Sequence, residues 1–175
     1  MFNMTKIRAT NGAGKSFYAN HLAANDYYSE SEKVVGCWKG FLAYNFGLLG
    51  EKVDLNAFSL FQKGINPLSG GKLTQRRVSG GPRFFDFQVA APKSVSIMSL
   101  FDARLIEAHR EAVDEAMREL ESLAAVRLRT GDHVFTNNYE ITGQIIYAQF
   151  HHDASRALDP QLHTHKGTSI YSRIN

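Results

Sequence analysis

The sequence predicts an α+β domain, a largely antiparallel sheet covered by helices on one face. Three observations point there: strand-like runs stand at both ends of the chain, the segment Asp102 to Ala124 carries an apolar stripe at helical spacing, and the C-terminal strand-like runs are separated by short turns. At 175 residues with 43% hydrophobic content, the chain is long enough to bury a core and fits one domain, 1–175.

Met4 to Thr10 can form a short strand, broken by Asn11-Gly12-Ala13-Gly14 before a helix over Lys15 to Ala24. A second helix is predicted from Trp38 to Gly47, and Asp54 can cap a third reaching Lys63. Gly64 to Pro82 holds five glycines and two prolines, which predicts a mobile basic loop. Phe84 to Ala90, aromatic and β-branched, is bounded by prolines and reads as a strand, with a buried helix from Ser94 to Leu100. In Asp102 to Ala124, Leu105, Ile106, His109, Val113, Met117, Leu120 and Leu123 recur three and four residues apart and make one apolar face. Val126 to Arg129, Gly143 to His152 and Leu162 to Ser172 then read as strands.

No apolar run approaches the roughly 20 residues of a membrane span, and the first residues lack the apolar middle of a secretory signal, so a cytoplasmic location is expected. The single cysteine, Cys37, excludes an internal disulfide and reads as a small buried apolar residue. Any metal site must rest on His, Asp and Glu. Charge is uneven: Ile65 to Val95 holds Lys72, Arg76, Arg77, Arg83 and Lys93 against Asp86 alone, whereas Asp102 to Glu121 holds seven acids against three arginines. Such a chain can offer one face to a polyanion.

Three of the seven histidines form a pattern. Residues two apart on a strand share a face, so His163 and His165 project together while Thr164 points away. If the preceding strand is the antiparallel neighbour, His152 completes a three-nitrogen cluster. Three imidazoles facing one cavity suit a divalent cation with open positions for an anionic substrate such as a phosphate.

The run FHHDASRALDPQLHTH (Phe150 to His165) resembles the histidine motif of the MobF-type conjugative relaxases, the TrwC/TraI group of the HUH endonucleases. SFYANHLAANDYY, CWKGFLAYNFGLLGEKVD and FDFQVAAPKSVSIM resemble further family segments in the family's order, and together the four cover nearly the whole chain. The resemblance implies a palm-like relaxase sheet and a catalytic domain that stops short of the family's C-terminal part. It implies His152, His163 and His165 as ligands of Mg²⁺, Mn²⁺ or Zn²⁺, with His151 a neighbour. Asp86 falls on the residue that orients a ligand histidine and helps take the proton of a tyrosine. It further implies transesterification of single-stranded DNA at a plasmid transfer origin through a 5′-phosphotyrosyl link, in a monomer working with other conjugation proteins.

Family members carry two tyrosine pairs near the N-terminus, the first residue of the first pair initiating. Here the pairs read Phe17-Tyr18 and Tyr27-Tyr28. Phe17 cannot be a nucleophile, so either Tyr18 takes its place, or Tyr27 or Tyr28 acts, or the chain carries an inactivating change. A phenol near pKa 10 needs a proton acceptor or a cation beside it. The basic residues Lys72, Arg76, Arg77, Arg83 and Lys93, with Phe84 and Phe85, can track a single strand by phosphate contact and stacking. Since those two aromatics alternate faces, at least one belongs to the core, and Trp38 reads as structural.

Three other readings compete. Ala9 to Ser16 satisfies the loose phosphate-binding loop, although no βα repetition accompanies it. His151-x-Asp153 with His163 or His165 is a possible two-histidine, one-carboxylate iron triad. A non-catalytic DNA-binding remnant of a relaxase is the third, favoured by Phe17.

Overall fold

The computed structural model describes residues 1–8, 36–73, 82–127, 139–155 and 157–171. In chain order the strands are β1 (Phe2–Arg8), β2 (Cys37–Lys39), β3 (Pro82–Ala90), β4 (Ala125–Arg127), β5 (Tyr139–Ile141), β6 (Ile145–Ala154) and β7 (Pro160–Ile170). The helices are α1 (Phe41–Asn45), α2 (Leu55–Gln62), α3 (Lys93–Met98) and α4 (Arg104–Ser122). Five strands pair antiparallel in the order β1-β3-β7-β6-β2, and β4 and β5 form a separate ribbon.

Strand alternation divides the sheet into two faces. On one, Trp38, Phe84, Ile146, Ala148 and Phe150 are buried against Leu42 and Ala43 of α1 and Phe58 and Phe61 of α2. Burial of each large side chain contributes roughly 1.5–3 kcal/mol. On the other, α4 lays down most of the predicted stripe: Val113 and Met117 are fully buried, and Met117 packs with Ile145 and Tyr147, whereas Leu123, just past the end of the helix, is exposed. Helices therefore cover both faces, not one. The core is dense enough on each side to fix which residues of β6 and β7 point where.

Asp54 caps α2 as expected, its carboxylate accepting from the amides of Asn56 and Ala57 at 2.7 and 3.1 Å. The helix predicted from Trp38 is corrected. Trp38 lies on β2, paired with Ala148, and helix begins only at Phe41. Gly40 is the reason: its φ of 98° is left-handed, and a Cβ there would stand 2.6 Å from the Ile145 carbonyl oxygen. The structure also adds β5, and carries β6 past His152 to Ala154 through a register shift. Cys37 is only partly buried. The helix expected over Lys15 to Ala24 lies outside the described residues. The described part of the basic loop is a turn in which Asn66 Oδ1 accepts from Leu68 N at 2.8 Å. No described helix is long and apolar enough to cross a membrane.

Candidate metal centre

Register brings the histidines together. His152 of β6 stands directly opposite His163 of β7, and His165 lies opposite Phe150 on the same face, beyond the aromatic core. The ring centres of His152 and His163 are 5.0 Å apart, those of His163 and His165 5.3 Å, and those of His152 and His165 5.7 Å. His152 and His163 are buried, and His165 is nearly so.

Two of the rings are oriented by their second nitrogen. His163 Nδ1–H donates to the Gln161 carbonyl at 2.7 Å. His165 Nδ1–H donates to Asp86, 3.0 Å from Oδ2 and 3.2 Å from Oδ1. Asp86 sits on β3, the strand on the other side of β7 from β6. A proton fixed at Nδ1 leaves the Nε2 lone pair as the ligand, and a carboxylate behind the ring raises its basicity.

The residues fit a cation in donor type, and their spacing is slightly wider than a bound ion would set. With a metal–nitrogen bond of about 2.1 Å, ring centres lie roughly 3.2 Å from the ion and roughly 4.5–5.2 Å from each other. The observed separations overlap the upper end of that range and run past it. Among the described residues no three His, Cys, Asp or Glu side chains already form a closed coordination set, so binding has to draw the rings slightly together.

Sequence reasoning missed what lies behind the sheet. Thr164, between the two β7 histidines, is fully buried on the α4 face. Its Oγ1 is 2.8 Å from His151 Nδ1 and 3.2 Å from His109 Nε2 of α4, and His151 Nε2 is 2.8 Å from Gln149 Nε2. Burial, then the charge of Arg110, push the His151 imidazole down to about 4. Burial also lowers His109 and pushes the Lys166 ammonium down to about 7, with Asp114 opposing the shift. Lys166 is fully buried, donates to the Val113 carbonyl at 3.2 Å and stands 5.2 Å from the Tyr147 ring centre. With His151 held behind the sheet, the triad of His151, Asp153 and a β7 histidine is not assembled. The antiparallel sheet likewise differs from the parallel one a phosphate-binding loop requires, while Ala9 to Ser16 lies outside the described residues.

Among the described residues, Lys72, Arg83 and Lys93 do not gather at one place. Lys93, at the start of α3, donates to the Pro160 carbonyl at 3.0 Å, at the histidine end of β7. Arg83, the second residue of β3, stands seven residues before Ala90, the partner of His163, roughly 23 Å along the strand. Lys72 is exposed, bridged through its backbone to Ile65. Phe84 is core and Phe85 partly buried. Tyr18, Tyr27, Tyr28, Phe17, Arg76 and Arg77 lie outside the described residues.

Known proteins share this chain's sequence and fold. The chain is 36% identical over 170 residues, 94% of its length, to the multifunctional conjugation protein TraI of Escherichia coli strain K12, of which it covers 9%. Its structure is similar, with a TM-score of 0.76 at 30% identity, to a metal-bound structure of the conjugative relaxase TrwC in complex with oriT DNA. The match covers 96% of this chain and 56% of that one. A copper-bound TrwC–oriT DNA structure matches with the same TM-score and identity. The chain thus spans about half of the solved TrwC chains and under a tenth of TraI. Residues 11–169 match the family model described as TrwC relaxase, and the chain belongs to that family.

Proposed function

We propose that this chain is the catalytic segment of a DNA relaxase, which breaks one strand at a plasmid transfer origin by tyrosine transesterification during conjugation. The observation that carries the reading is the convergence of His152, His163 and His165 on one sheet face with Asp86 against His165 Nδ1. The Nε2 atoms of the three histidines hold one divalent ion, and a three-nitrogen set suits Zn²⁺ or another transition ion better than Mg²⁺, which prefers oxygen. When bound, the ion polarises the scissile phosphate and offsets charge on the departing 3′ oxygen.

The chain's own residues do the rest. A tyrosine among Tyr18, Tyr27 and Tyr28 attacks the phosphorus, forms the 5′-phosphotyrosyl bond and releases the 3′ hydroxyl. Asp86 keeps the His165 ring aligned and helps draw off the phenolic proton. Lys93, at the histidine end of β7, contacts the strand backbone, and Lys72, Arg76, Arg77 and Arg83 extend that contact.

The test incubates the full chain with single-stranded oligonucleotides spanning transfer origins and Mn²⁺, then maps covalent adducts by peptide mass spectrometry. An adduct on Tyr18, Tyr27 or Tyr28 that disappears in His163→Ala is expected. Binding of the same DNA with no adduct on any tyrosine would favour a non-catalytic remnant, the reading that Phe17 supports.

A further inference from the structure

We infer that Thr164 is a positioning residue for the metal centre, its hydroxyl locking the two ligand-bearing strands to α4 from behind. This rests on the proposal that His152, His163 and His165 hold the ion. Thr164 is flanked by His163 and His165, and its cross-strand partner is His151, the neighbour of His152. Thr164 is therefore next in the chain to two of the ligands and, across the strands, opposite the neighbour of the third.

The contacts form a directed chain. With the Gln149 amide donating to His151 Nε2, the His151 proton sits on Nδ1 and is donated to Thr164 Oγ1. The threonine proton is then available to His109 Nε2, on α4. A hydroxyl is the one small group that both accepts and donates in this way. Thr164 is fully buried, and His109 is buried as well. Loss of the hydroxyl leaves two imidazole nitrogens in a dry place with one partner fewer each.

The consequence lies on the opposite face. A strand can tilt or roll about its axis even when its register is kept, and the Nε2 atoms of His163 and His165 move with it. The link from β6 through Thr164 to α4 opposes that roll. Thr164→Val keeps the β-branched shape and removes the hydroxyl, so it separates the hydrogen bonds from packing.

The measurement is a titration of the chain, residues 1–175, with Co²⁺, reading both the dissociation constant and the visible absorption of the bound ion, which reports ligand geometry. Thr164→Val is expected to weaken binding about tenfold, at the low end for groups behind a ligand shell, and to shift the absorption band. Thr164→Ser should stay within about twofold of the unsubstituted chain. Val113→Ala, which opens a cavity in the same helix–sheet contact without touching this link, should lower the melting temperature yet leave affinity and spectrum in place. If Thr164→Val does not fold, His109→Leu cuts the same link from the helix side and is read in the same way.

An unchanged constant and spectrum in Thr164→Val would overturn the inference. So would Val113→Ala weakening the ion as much as Thr164→Val does. Failure of the unsubstituted chain to bind Co²⁺, or of His163→Ala to lose it, would instead refute the three-histidine reading, and the role of Thr164 would fall with it.

Discussion

Asp86 and His165 meet across neighbouring strands, with Nδ1 3.0 Å from Oδ2 although the residues are 79 apart in sequence. The contact fixes which nitrogen of His165 faces the cluster. Asp86→Ala should therefore weaken divalent-ion binding roughly 10–100-fold. Calorimetric titration with Zn²⁺ checks this, and an unchanged affinity would show that the carboxylate does not serve the ring.

Ser96 ties α3 to the start of the ligand strand. Its fully buried hydroxyl accepts from Leu162 N at 3.0 Å, one residue before His163, and donates to the Pro92 carbonyl at 3.2 Å. Ser96→Ala leaves that buried amide without its partner, which costs about 1–3 kcal/mol. Urea denaturation should show the midpoint falling with an unchanged slope.

The bend at Gly40 should tolerate no side chain. Its positive φ and the 2.6 Å approach of an added Cβ to the Ile145 carbonyl predict that Gly40→Ala destabilises by roughly 2 kcal/mol or more. A melting temperature within a degree of the unsubstituted chain would contradict this.

His109 predicts an acid-side loss of stability. Burial lowers its pKa first, helped by the positive charges of Lys166, the chain's amino terminus and Arg110; Thr164 and, through it, the His151 imidazole face it from the sheet. In the unfolded chain the ring takes a proton near pH 6.5, whereas in the folded chain it resists until a lower pH. The unfolded state then binds more protons in that window, so stability is full above about pH 6.5 and declines as pH falls toward the folded value. His109→Leu should flatten the melting-temperature profile between pH 7 and 5. An unaltered slope would exclude His109 as a source.

Much of this was legible in the sequence. His152, His163 and His165 stood out because strand alternation is a period of two, which holds wherever a strand does. Asp86 was reachable only through family resemblance, since its partner lies on a strand distant in sequence. Trp38 was misread because a three-residue strand has no periodicity to detect, and only the φ of Gly40 separates it from the helix that follows. His109 was read as one position of an apolar stripe, and nothing local indicated that its Nε2 would meet Thr164. Contacts joining three separate elements leave no mark in any one of them.

The three-histidine centre itself can be tested without knowing the nick sequence, by equilibrium titration of the metal-stripped chain with Zn²⁺ and separately with Mn²⁺. One ion per chain is predicted, with binding lost in each of His152→Ala, His163→Ala and His165→Ala and only weakened, by about tenfold, in His151→Ala, which cuts the link to Thr164. Binding that survives all three substitutions, or that depends on His151 instead, would contradict a metal centre on this face of the sheet.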